Sequence, residues 1–386
     1  MSNDIESISI LRNAFRKNNL TLYLGAGVSI GSKLPSWEKL VLAMYFNKIS
    51  QEQMNGWRPY SNYLYAIAEW YLNNSIEPLE ITARKLRKHY EADAENVFLD
   101  DLYSMLYGGF LDNDRLSSRI NREYLRNNNT TLNAVAGLCE TSRKRIHAVV
   151  TYNYDSLLEI ALDDYPYKSV FNPILVDSKS MPIYHVHGYI PLDKTINHSK
   201  ESEIVFTEDQ YHLVAENPYY WSNLVQLQLM SSSVGLMIGL SLSDRNMRRI
   251  LDAIKNSPIT SINFALLREP DMRPPDGHVL DDIHKKAIGY LEEFERSGIK
   301  SEQREHEGIF FRRPGIKAEF REVSSTTAGI KGLTRYQYEI SGIIEQVRLI
   351  DKKQQEYVLK QLGIIPIWFK EISDIPGIIS QISSKN

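Results

Sequence analysis

The sequence predicts an α/β fold: a doubly wound parallel sheet with a block of helices inserted early in the chain. Three observations predict it. Short apolar runs of strand length recur along the text, stretches with helical spacing separate several of them, and the first run leads directly into a glycine-rich turn and a helix. In such sheets ligands bind beyond the carboxyl ends of the strands, so the residues that follow each strand carry the functional reading.

Residues 4–17 place apolar side chains at helical spacing and predict an amphipathic helix. Residues 20–24, Leu-Thr-Leu-Tyr-Leu, are apolar enough for a buried strand. After the turn Gly-Ala-Gly-Val-Ser-Ile-Gly at 25–31, Pro35 stands near the first turn of a second helix. From about 45 to 143 little alternates like a strand, while 60–73, 80–89 and 132–141 have helical spacing, so this stretch reads as a helical insertion. Strand character returns at 147–151, 183–187, 203–206, 234–239 and 262–267. Residues 281–297 predict a charged helix ended by Gly298, 299–330 read as irregular or as a short hairpin, and a second long helix spans about 333–361. A last strand at 363–369 and a last helix at 374–382 return the chain to the sheet. The expected division is a sheet domain over 1–44 and 144–386 with a helical module at 45–143.

Composition narrows the function. With 42% hydrophobic and 24% charged residues the chain is of ordinary globular composition, and 386 residues can bury a sizeable core. A net charge of −3 gives no global basic field, so nucleic acid would be met only through a partner or a local patch. Cys139 is the only cysteine, which excludes an intrachain disulfide and a four-cysteine zinc ribbon. The N-terminal residues lack the apolar core of a signal peptide, and the apolar run 234–240 is far shorter than the roughly 20 residues of a membrane helix. The expectation is a cytoplasmic protein with no membrane partner.

Four strand ends carry candidate chemistry. Gly25, Ala26, Gly27 and Ser29 form a turn whose glycines let the backbone bend sharply and approach a diphosphate, or simply pack a strand against a helix. Thr-Tyr-Asn-Tyr-Asp at 151–155 puts Asn153 and Asp155 where they reach the same crevice, with capping of the following helix as the alternative for either residue, above all for Asp155. His185-Val-His187-Gly188 ends a strand with two histidines expected on one face. Histidine exchanges a proton near neutral pH, so His187 is a candidate base; His185 reads as a packed, hydrogen-bonded residue, and no third zinc ligand accompanies the pair. Gly239-Leu-Ser241-Leu-Ser-Asp244 offers small and hydroxyl groups to a ribose or phosphate, while Asp244 equally suits the cap of a following helix.

In this order the motifs resemble those of the sirtuin-like NAD-binding superfamily, over roughly residues 18–270. GAGVS at 25–29 is similar to the family's glycine-alanine-glycine-x-serine turn, TYNYD at 151–155 to its TQNID element, His187-Gly188 to its HG pair, and Gly239-Leu-Ser-Leu242 to its GTSL element. The resemblance implies a Rossmann-like domain with NAD as substrate. It places Asn153 at the nicotinamide ribose and its attacking water, His187 as catalytic base, and Gly25, Ala26, Gly27, Ser29, Asp155, Gly239 and Ser241 around the dinucleotide; Asp244, two residues past the last matched element, joins them as a candidate from the residue reading. Protein-deacylating members carry a zinc ribbon and a DFR stretch after the first turn, and this chain has neither; no zinc is expected, and helices stand in place of the ribbon. TYNYD and HVHGYIP look more like the bacterial sirtuin-like effectors of phage defence.

The resemblance therefore implies an NAD+ hydrolase that releases nicotinamide and ADP-ribose, an abortive-infection effector, a homo-oligomer and a partner of a HerA-type hexameric ATPase. Two alternatives stay open: an NAD-dependent deacylase or ADP-ribosyltransferase, and an NAD- or ADP-ribose-binding scaffold subunit of an ATPase or nuclease complex.

Overall fold

The protein's structure, a computed structural model, describes residues 2–53, 66–67, 70–71, 73–74, 77–91, 93, 96–111, 122–141, 146–162, 165–174, 176–177, 179–256, 262–296 and 335–384. The helix expected at 60–73 and the irregular segment at 299–330 lie largely or wholly outside these residues. Packing divides the chain into two compact units, Met1–Glu269 with Glu356–Asn386, and Pro270–Gln355.

The first unit holds a seven-stranded, all-parallel sheet. Its strands are β1 (Leu20–Leu24), β2 (Ile146–Thr151), β3 (Tyr167–Val170), β4 (Met181–His185), β5 (Val234–Ile238), β6 (Asn263–Arg268) and β7 (Ile364–Phe369), in the spatial order β3-β4-β2-β1-β5-β6-β7. Leaving aside the edge strand β3, the chain steps outward from β1 through β2 to β4, then returns to the other side of β1 for β5, β6 and β7. That reversal is the doubly wound, Rossmann-like arrangement, and it opens a crevice at the carboxyl ends of β2, β1 and β5.

The central strands β1 and β5 are largely apolar on both faces because helices cover both. Leu22 and Leu24 point into one core cluster with Val149, Ile183, Leu236 and Ile238, while Tyr23 joins a second with Val150, Met237 and Met247. All of β1 is buried, which explains why it reads as a continuous apolar run. Between β1 and β2 lie the helices Trp37–Gln53, Leu79–Tyr90, Val97–Leu111, Arg122–Asn128 and Thr130–Glu140. The first and last helices of this unit, Ser2–Arg16 and Ile375–Ser383, are joined where the Arg12 guanidinium donates to the Gln381 carbonyl at 2.9 Å.

Two sequence expectations need correction. Residues 203–206 are not a strand: Glu201–Glu203 is a 3-10 turn, and the residues after it are extended without joining the sheet. Their apolar alternation has another cause, since Ile204 and Phe206 are buried in the core and the Val205 amide donates to the His187 carbonyl at 2.9 Å. Conversely β3 is a strand that the text did not suggest. It has four residues, includes the polar Lys168 and Ser169, and pairs only with β4 at the sheet edge.

In the second unit the helix Gly277–Arg296 is held to the N-terminal part of the helix Arg335–Gln361. Tyr336 Oη and Gln337 Nε2 both donate to Asp281 Oδ1, at 2.7 and 2.8 Å, and His284 stacks on Tyr336.

Candidate functional site

The site begins with two loops that touch backbone to backbone. β1 runs into the turn at 25–29, and β5, its neighbour, runs into 239–244. Gly25 N and Gly27 N donate to Ile238 O and Gly239 O at 3.0 and 2.9 Å. A Cβ on Gly27 would lie 2.6 Å from Gly239 Cα, and one on Gly25 would lie 2.5 Å from Gly239 O, so neither position accommodates a side chain. Gly239 adopts φ +69°, which favours glycine in its own right. Val28 N and Ser29 N donate to Gly25 O and Ala26 O at 3.0 and 2.9 Å, so most amides of the turn are engaged within the two loops. The turn is thus tied to the loop after β5 through its backbone, and the glycines serve the close approach of the two loops.

Behind this turn, the residues after β2 form a compact network. Asn153 Nδ2 donates to Gly25 O at 3.1 Å and to Ser29 Oγ at 3.2 Å. Ser29 Oγ donates in turn to Asp155 Oδ2 at 2.8 Å, and Asp155 Oδ1 accepts the Leu157 amide at 3.0 Å. Asp155 is therefore a cap for the helix Leu157–Leu162 as well as a brace for the glycine turn. Burial raises its pKa, opposed by the Leu157 amide and the Ser29 hydroxyl.

His185 and His187, expected on one face, part company. β4 ends at His185, and the turn that follows carries His187 elsewhere. His185 is fully buried. Its Nδ1 lies 3.2 Å from the Asn153 carbonyl and its Nε2 2.7 Å from Glu159 Oε1. A carbonyl only accepts, so Nδ1 carries hydrogen in that bond, and the Nε2–Glu159 contact is held by one further proton on either partner. Glu159 also accepts the Ser169 hydroxyl at 3.0 Å. The packed reading of His185 is the one the structure shows.

His187 stands between two phenol rings, with Tyr152 and Tyr211 edge-on at 5.1 and 5.4 Å. Its Nε2 lies 3.3 Å from Asp244 Oδ2, while Asp244 Oδ1 accepts the Met247 amide at 2.7 Å and caps the helix Arg245–Lys255. Gly188, at φ +109°, lets the chain turn against Ile204 directly after the imidazole. Burial lowers the His187 pKa below 6.5, with Asp244 pulling the other way, so the imidazole is neutral at pH 7. The two phenols are pushed far above 10 by burial and stay protonated.

These groups open onto one cleft of about 1050 Å³. Asn153, His187, Gly25, Ala26, Gly27, Ser29, Asp155, Gly239, Ser241 and Asp244 all line it. Ser241 sits toward solvent with its hydroxyl 2.6 Å from that of Ser243. The volume suits a dinucleotide, and the lining combines hydroxyls and amides with apolar side chains. The sequence reading missed Tyr152 and Tyr211 as the walls of the His187 position, Asp244 as a partner of the imidazole, and Asn129, which lines the cleft from the helical stretch. No local signal marks these roles, because each depends on contacts distant in sequence. Among the described residues no group of three or more His, Cys, Asp or Glu side chains is arranged to hold a metal ion, and no helix is long and apolar enough to cross a membrane.

Residues 147–290 match the family model of the SIR2-like domain. The matched stretch is less than half of the chain; it contains Asn153, His187, Ser241 and Asp244, and the glycine turn precedes it. The match supports a sirtuin-like family and, with it, NAD-related enzyme activity. A comparison with curated proteins finds no match.

Proposed function

We propose that the protein is an NAD+ glycohydrolase that cleaves the bond between nicotinamide and ribose. The observation that carries this reading is the meeting of Asn153 and His187 in one dinucleotide-sized cleft beside the glycine turn. In the proposed reaction the glycosidic C–N bond breaks and nicotinamide leaves with the bonding electron pair. The oxygen of a water molecule bonds to the ribose carbon, and its proton passes to His187. Positive charge builds on the ribose as the bond breaks, so the required groups are one that orients water and one that accepts its proton.

The site chemistry supports those assignments. Asn153 spends its amide N–H groups on Gly25 O and Ser29 Oγ, which fixes the side chain and leaves Oδ1 as its acceptor for water or a ribose hydroxyl. His187 is held neutral at pH 7 and can accept a proton at once. A role in phage defence, self-association and a HerA-type ATPase partner rest on the resemblance of the motifs alone.

The test is NAD+ loss and nicotinamide release by the wild type, Asn153→Ala and His187→Ala, assayed beside deacylation of an acylated peptide and repeated with the candidate ATPase. Loss of about a hundredfold or more in NAD+ turnover in both variants, without peptide deacylation, is the expected result. Turnover unchanged in folded variants would overturn the assignment, and NAD-dependent deacylation by the wild type would move the activity to the other enzyme class.

A further inference from the structure

Asn129 stands at the junction of two helices, Arg122–Asn128 and Thr130–Glu140, at the end of the helical stretch between β1 and β2. Only 2% of it is exposed. Its Oδ1 accepts the Leu132 amide at 3.0 Å, the ordinary work of an N-cap. Its Nδ2 does something a cap does not require: it donates to the Val28 carbonyl at 2.8 Å and lies 3.0 Å from Ser32 Oγ. Val28 and Ser32 belong to the two 3-10 turns that continue the glycine turn away from β1.

Gly31 makes this contact possible. A Cβ there would lie 2.8 Å from both Cγ and Oδ1 of Asn129, so the turn and the amide approach closely only because position 31 has no side chain. Asn153 grips the same turn from the opposite end through Gly25 and Ser29. The turn is thus held by two asparagine amides, one from the sheet and one from the helical stretch, and both residues line the cleft.

We infer that Asn129 is a positioning residue through which the helical stretch sets the shape of the glycine turn and hence its affinity for the ligand. With NAD as that ligand the inference rests on the proposed function, but the restraint on the turn is a property of the free protein. Asn129→Asp keeps an oxygen for the Leu132 amide and loses the donor to Val28, so it separates the restraint from the cap. Gly31→Ala attacks the same contact from the other side.

The experiment compares amide hydrogen exchange at residues 25–33 in ligand-free wild type, Asn129→Asp and Gly31→Ala, followed by NAD+ kinetics. The expected result is exchange about tenfold faster at Ser29, Ser32 and Lys33 in both variants with β1 unaffected. It is accompanied by a rise of about tenfold in KM for NAD+ with kcat within about twofold, and by a double variant no worse than either single one. Exchange in the turn unchanged, or accelerated equally throughout the protein, would overturn the inference. If NAD+ leaves the turn's exchange in the wild type untouched, the reading of the ligand falls, while the comparison of variants still decides the restraint.

Discussion

His187 Nε2 lies 3.3 Å from Asp244 Oδ2, although the two residues follow different strands, β4 and β5, on opposite sides of β1 in the sheet. Burial lowers the imidazole pKa below 6.5 and the carboxylate partly offsets that effect. Asp244→Asn removes the negative charge while preserving a side-chain oxygen for the Met247 amide. The acid limb of the NAD+ turnover profile is expected to lie below pH 6.5 in the wild type and to move further down in this variant. A pH profile of kcat/KM measures it, and an unmoved limb would separate Asp244 from the titrating group.

The same residue fixes the sign of one pH term in stability. Between the folded and unfolded pKa of His187 the unfolded chain binds more protons, so stability falls as pH drops through this window. The contribution is complete above about pH 6.5, the ordinary histidine value. Replacing His187 with Gln is expected to flatten this part of the curve of unfolding free energy against pH, measured with urea between pH 5 and 7.

Glu159 and His185 are a buried pair, 4% and 0% exposed at the side chain. Glu159→Ala strands the imidazole and is expected to cost about 3 kcal/mol in denaturant unfolding. Glu159→Gln supplies an amide donor to Nε2 and is expected to cost about 1 kcal/mol. Because His185 Nδ1 holds the Asn153 carbonyl, NAD+ turnover should fall with Glu159→Ala and largely return with Gln.

Gly27→Ala places a Cβ 2.6 Å from Gly239 Cα, a backbone atom that has no flexible end to move aside. The two loops must separate, so loss of about tenfold or more in NAD+ affinity is expected, together with a lowered melting temperature. Calorimetric titration and thermal unfolding would register both.

Cys139 is wholly buried and its thiol is pushed up to about pKa 12 by burial. The thiolate is the reactive form, so a thiol reagent at pH 8 should label native protein far more slowly than urea-unfolded protein. Rapid stoichiometric labelling without unfolding would contradict the packing of the helix Thr130–Glu140.

Much of the fold was legible in the text because the relevant signals are local. The β1 run, the glycine turn after it and the helix beyond are adjacent in sequence, and hydrophobic periodicity reports which faces are covered. Residues 203–206 show where this fails: their alternation satisfies burial beneath the His187 loop rather than a ladder. The polar edge strand β3 failed in the other sense, since pairing with β4 alone required little apolar surface.

The sequence by itself determined the strand ends at which polar and glycine residues would gather, since turns and strands follow from backbone freedom and the spacing of apolar side chains. Tertiary structure alone decided that Asp244 faces His187, that His185 turns inward to Glu159, and that Asn129 reaches the glycine turn. Each of those pairs is set by the order of strands in the sheet and the packing of distant helices. No short stretch of chain contains both partners, so no local pattern could specify them.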